Sequence, residues 1–77
     1  MRIFVKTLPG RTITVDTSDL IGDSKCLTTL MVKKRISEMR DIHIEEQTLI
    51  FAGKILDDNE NIYTIMREEG NVFLRIK

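Results

Sequence analysis

The first fifteen residues constrain this chain more than any other part of it. In Met1-Arg2-Ile3-Phe4-Val5-Lys6-Thr7-Leu8-Pro9-Gly10-Arg11-Thr12-Ile13-Thr14-Val15, apolar and polar residues alternate on either side of a short turn. Successive side chains of a strand point to opposite faces, so period-two alternation marks a half-buried strand. Met1, Ile3 and Val5 share one face of the first strand, and Arg2, Phe4 and Lys6 share the other. In the second, Ile13 and Val15 oppose Thr12, Thr14 and Asp16. Thr7 to Gly10 supplies the turn, where Gly10 is free to take a positive φ and Pro9 need not donate to a ladder. The pattern predicts a β-hairpin.

Beyond it the alternation stops. Thr17 to Leu27 mixes Ser, Asp, Gly and Lys with isolated Leu20, Ile21 and Leu27 and reads as an irregular loop. Thr28 or Thr29 then caps a helix, along which Val32, Ile36 and Met39 recur at helical spacing as one narrow apolar stripe. Leu30 and Met31 lie off that stripe and can pack beneath it. Lys33, Lys34, Glu38 and Arg40 take solvated positions, and Asp41, which tolerates the left-handed conformation, ends the helix. Thr48-Leu49-Ile50-Phe51 is a short strand, turned at Ala52-Gly53 towards a partner at Lys54-Ile55-Leu56. Asp57 to Asn61 is a polar turn, Ile62, Ile65 and Met66 mark a brief helical turn, and Val72 to Lys77 alternates with Val72, Leu74 and Ile76 inward. One main helix and a short second helix on a mixed sheet make an α+β architecture.

Size and charge narrow the function classes. Seventy-seven residues are one domain, 1–77, near the lower limit for a single hydrophobic core, and 42% hydrophobic with 31% charged residues suits a globular chain. Twelve basic and twelve acidic residues cancel, so bulk charge argues for neither nucleic acid nor membrane. No stretch approaches the ~18 apolar residues of a membrane span, and no apolar segment follows a basic start as in a signal peptide. The lone Cys26 offers no disulfide framework and fits a reducing compartment, cytoplasmic or nuclear.

Two longer motifs carry a family resemblance. Met1-x-Ile3-Phe4-Val5-Lys6-Thr7-Leu8-x-Gly10-x-Thr12-Ile13-Thr14 and Leu49-Ile50-Phe51-Ala52-Gly53-Lys54-x-Leu56-x-Asp58, with a weaker match at Val32-Lys33-x-x-Ile36, resemble ubiquitin-like domains over essentially the whole chain. The resemblance implies the β-grasp fold and a role as a recognised surface. The family's hydrophobic patch maps onto Leu8, Ile50 and the outward residues of the last strand. Those residues are Phe73 and Arg75, where ubiquitin has a histidine and a valine. Strand alternation agrees, since Ile50 and Phe73 both interrupt inward-facing neighbours.

Lys6, Lys54, Arg75 and Lys77 are expected to ring this patch, with Asp57, Asp58, Glu60, Glu68 and Glu69 elsewhere, which favours a partner with an apolar centre and an acidic rim. The expected protein-binding set is Leu8, Ile50, Gly53, Lys54, Phe73 and Arg75. Thr48 stands where ubiquitin has an arginine, so partner choice should differ from ubiquitin's.

Two further departures matter. The segment at about 17–27 is longer than ubiquitin's by about six residues, a modest entropic cost for a surface loop. It reads either as a longer loop or as a specificity element presenting Leu20, Ile21 and Leu27. The flexible Gly-Gly extension that conjugation requires is missing before Lys77. The expectation is therefore a non-conjugated, monomeric interaction domain, the N-terminal module of a larger protein, docking onto ubiquitin receptors, the proteasome or ligase components. The alternative is a modifier whose Gly-Gly tail lies beyond Lys77.

Enzymatic chemistry finds little support. Cys26 and His43 come with no orienting acid or oxyanion loop. No Cys/His spacing completes a metal site, and Glu45-Glu46 and Asp57-Asp58 read as solvated turns. No glycine-rich phosphate loop exists, and Lys33-Lys34-Arg35 reads as a solvated helix face. No enzyme activity, cofactor or metal is expected.

Overall fold

The computed structural model describes residues 1–8, 10–68 and 70–76. The expectations for Pro9 in the turn, Glu69 among the acidic residues and Lys77 beside the patch lie outside the described residues. In chain order the elements are β1 (Arg2–Thr7), β2 (Arg11–Asp16), α1 (Ser18–Ile21), α2 (Thr29–Arg40), a 3-10 turn (Ile44–Glu46), β3 (Gln47–Phe51), β4 (Lys54–Ile55), α3 (Tyr63–Glu68) and β5 (Asn71–Ile76). The five strands form one mixed sheet in the order β2-β1-β5-β3-β4. β1 is antiparallel to β2 and parallel to β5, while β3 is antiparallel to both β5 and β4. This is the β-grasp arrangement, with α2 packed on the sheet.

The hairpin forms as its alternation requires. Ile3 lies opposite Val15 and Val5 opposite Ile13, all four buried. The Gly10 N–H donates to the Thr7 carbonyl at 2.6 Å, with Gly10 at φ +105°. Thr28 is the cap of α2: its hydroxyl accepts from the Met31 N–H at 3.3 Å, while the Met31 sulfur accepts from the Thr28 N–H at 3.5 Å. This is a capping box with a thioether in place of the usual carboxylate or amide. Asp41 closes the helix in the left-handed conformation, φ 55° and ψ 44°. The core gathers Ile3, Val5, Ile13 and Val15 with Val32 and Ile36 of α2, Leu49, Leu56, Ile62, Met66, Val72 and Leu74.

Several expectations are corrected. The segment at 17–27 is not wholly irregular. Ser18–Ile21 makes one helical turn, started by Leu20 and Ile21 N–H groups donating to the Thr17 carbonyl and ended at Gly22, φ +56°. One turn is too short to show a helical period in sequence. Leu27 is fully buried and belongs to the core, so it cannot serve a specificity loop; Leu20 and Ile21 are half-buried against the same core. Asn61 fixes this junction, its side-chain oxygen accepting from the Leu27 N–H at 3.0 Å.

Lys33 is buried, not solvated. Thr29, Val32, Lys33 and Ile36 form the inner face of α2, and the Lys33 stem runs along it until Nζ meets Asp58 Oδ1 at 2.7 Å. Met39 and Ile76, expected inside, are 40% and 45% exposed, as is Met1 at 40%. All three lie at the ends of their elements, where the layer above or below stops. The β4 ladder covers only Lys54–Ile55; Leu56 then turns inward, its N–H donating to the Leu49 carbonyl at 2.9 Å.

Candidate protein-interaction surface

The sheet face turned away from α2 is built by strand parity. Ile50 lies opposite Phe73 across β3 and β5, and Phe73 lies opposite Lys6 across β5 and β1. Ile55 extends the row from β4, directly opposite Ile50. Ile55 is 57% and Phe73 38% exposed, and Ile50 is half-buried between them. Three large apolar side chains on three adjacent strands thus form one continuous strip. Ile55 was not among the expected site residues. The sequence signal was present, since the tight Ala52-Gly53 turn forces the residue opposite Ile50 onto the same face. That turn holds Ala52 at φ 52° and Gly53 at φ 80°.

Charge frames the strip unevenly. Lys6 adjoins Phe73, and Arg75 lies opposite Thr48 one step along the same face. Lys54, opposite Phe51 in the β3–β4 ladder, is not a free cation: its Nζ lies 3.3 Å from Glu60 Oε2. An exposed pair of this kind contributes little to stability, about 0–1 kcal/mol, but it offsets the Lys54 charge locally. Phe4, 41% exposed, stands on the same face opposite Asn71 and Thr14.

Leu8 is 77% exposed beyond the end of β1. It lines a groove of about 250 Å³ with Thr7, Arg11, Ile13, Arg40, Ile42 and Ile76. The structure therefore joins Ile50, Phe73 and Arg75 directly and places Gly53 and Lys54 at the adjoining turn. Leu8 lies at a second, neighbouring apolar site.

The remaining polar geometry is structural. Gln47 is buried, and its Nε2 donates to the Lys33 and Ile42 carbonyls at 3.0 and 3.1 Å, tying β3 to the body of α2 and to the segment just after it. Asp16 accepts from the Ser18 hydroxyl at 2.7 Å and from the Ser18 N–H at 3.1 Å. The Ser18 hydroxyl, then its N–H, hold the Asp16 carboxyl below its ordinary value by stabilising the charged form. Among the described residues, no three His, Cys, Asp or Glu side chains converge to hold a metal ion. Nor is any helix among them long and apolar enough to cross a membrane.

The chain that folds into this sheet and helix matches the ubiquitin family model over residues 3–76. The chain belongs to the ubiquitin family. This ubiquitin-like chain is also similar to Ubiquitin-like protein 1 of Schizosaccharomyces pombe (strain 972 / ATCC 24843), 35% identical over 72 residues that cover 94% of this chain and 85% of the relative. The ubiquitin-like family is generally non-enzymatic.

Proposed function

We propose that this ubiquitin-like domain is a docking module that works without being conjugated. It joins its host protein to ubiquitin receptors, the proteasome or ubiquitin-ligase components in the cytoplasm or nucleus, and acts as a monomer. The observation that carries the reading is the direct cross-strand pairing of Ile50 with Phe73, extended by Ile55 to a strip of exposed apolar surface. Clustered apolar side chains on the face of a small, otherwise charged domain fit a binding centre better than chance exposure. Lys6 and Arg75 beside the strip favour a partner whose rim is acidic. Phe73 gives this surface a bulk and stacking capacity that select for an apolar cleft.

The test is a titration of the purified domain against a purified proteasomal ubiquitin-receptor domain, repeated with Ile50→Ala and Phe73→Ala. Losing a central anchor typically costs ~1–2 kcal/mol, so each variant should bind about 5–30-fold more weakly. Unchanged affinity in folded variants refutes the assignment of the face. Covalent transfer of the natural protein to a substrate lysine, through a Gly-Gly terminus following Lys77, refutes the non-conjugated role.

A further inference from the structure

The chain carries no net charge, yet cations dominate the sheet face turned away from α2. Strand parity puts Arg2, Lys6 and Arg75 there, all exposed, with Asp16 the one acid among the described strand residues of that face. Asp16 is half-buried on the edge strand opposite Arg2, its carboxylate already engaged by Ser18. Lys6 and Arg75 make no salt bridge among the described residues. Two phenylalanines stand between these cations on the adjacent strands β1 and β5, Phe4 41% and Phe73 38% exposed. Phe4 lies opposite Asn71 and Phe73 opposite Lys6, so the two rings are diagonal neighbours across the parallel ladder.

We infer that this face binds single-stranded RNA, successive unpaired bases stacking on Phe4 and Phe73 with the phosphate between them on Lys6. The order of side chains carries the inference. Lys6 is two residues from Phe4 along β1 and directly across from Phe73, and Arg75 is two residues beyond Phe73 along β5. Ring and cation therefore alternate along one diagonal path, as bases and phosphates alternate along a strand. Aromatic rings on an open sheet hold unpaired bases by stacking, and cations beside them add a salt-dependent attraction for phosphate. A duplex keeps its base faces stacked inside and offers such rings nothing. Ribose is selected by the exposed hydroxyls of Thr12 and Thr14, across from Lys6 and Phe4 on β2, which can exchange hydrogen bonds with a 2′-hydroxyl. Phe73 belongs to this site and to the docking strip, but the docking assignment turns on Ile50 and this one on Phe4 and Lys6.

The probe is a fluorescently labelled uridine octamer, titrated with the purified domain at low salt and followed by anisotropy. Saturable binding is expected, with ¹⁵N amide shifts at Phe4, Lys6, Phe73 and Arg75, and it should weaken steeply as salt rises. Phe4→Ala should weaken it by about 5–150-fold, the usual loss of one stacked base. Lys6→Glu with Arg75→Glu should abolish measurable binding. A fully paired RNA duplex and a deoxyuridine octamer should both bind less tightly. All these substitutions fall on exposed side chains, and the duplex and deoxy controls on the unmodified domain test the assignment should a variant fail to fold. No saturable binding by the unmodified domain overturns the proposal, as does equal affinity for the duplex or the deoxy strand. Unchanged affinity in folded Phe4→Ala overturns it too. Binding to vesicles containing phosphatidylserine without binding to the octamer assigns the face to an anionic membrane and likewise overturns it. None of these outcomes decides the receptor titration, whose central residue is Ile50.

Discussion

Replacing Asp58 by Asn strands a charge that the fold otherwise neutralises. The Lys33 side chain keeps 10% of its surface in solvent, its stem packed along the inner face of α2, and Nζ reaches Asp58 at 2.7 Å. Asp58 itself is 50% exposed. Breaking a fully buried pair from one side costs ~3–5 kcal/mol, whereas an exposed pair is worth ~0–1 kcal/mol. With one partner buried and the other half in water, the Asp58→Asn cost should fall between these limits, at about 1–2 kcal/mol. For a domain of this size each kcal/mol moves Tm by roughly 4–8 °C, so a fall of about 4–16 °C is expected by scanning calorimetry. Lys33→Met removes charge and need together while keeping the stem, and should stay within about 1 kcal/mol of the parent. If Asp58→Asn leaves Tm within error, or Lys33→Met is as damaging as Asp58→Asn, the stranded-charge reasoning is wrong.

Two other outcomes follow from local geometry. A Cβ on Gly70 would sit 2.9 Å from the Arg2 carbonyl oxygen, a backbone atom that cannot swing aside. Gly70→Ala should therefore destabilise by about 1–3 kcal/mol in guanidinium unfolding, and an unchanged midpoint refutes the close approach. Because the Asp16 pKa is depressed in the folded state, its stabilising effect is present above the unfolded carboxylate value and is lost as pH falls through the lowered folded one. Ser18→Ala should raise the Asp16 titration midpoint measured by carbon NMR and remove that part of the acid-side slope in stability. No movement of the midpoint refutes the Ser18 assignment.

What could be read in the sequence was whatever repeats with a short period. The hairpin is written in strict alternation, and the Ile50–Phe73 pairing follows from the parity of β3 and β5. Thr28 and Asp41 announce the ends of α2 by their chemistry. Lys33 was misread because a one-letter code does not say whether an aliphatic stem lies in water or along a core. Met1, Met39 and Ile76 obey the right parity or spacing but lie where the opposing layer has ended. The single turn Ser18–Ile21 is shorter than any period that could reveal it. The Leu8 groove was illegible for a topological reason: its wall residues are scattered from Leu8 to Ile76, and only the packed sheet brings them together.

The parallel pairing of β1 with β5 places segments from opposite ends of the described chain at the centre of the sheet, Phe4 opposite Asn71 and Thr7 opposite Leu74. During synthesis the β1–β2 hairpin is made before β5, and the free edge of β1 can pair with β5 only after Asn71 to Ile76 has been made. Pairings so remote in sequence are slow to close, and unpaired edges in waiting intermediates invite aggregation. The sheet therefore cannot mature progressively from the N-terminus as the chain lengthens. Completion is gated by the last strand, so a ribosome stalled before β5 would hold a hairpin and helix with no closed sheet between them.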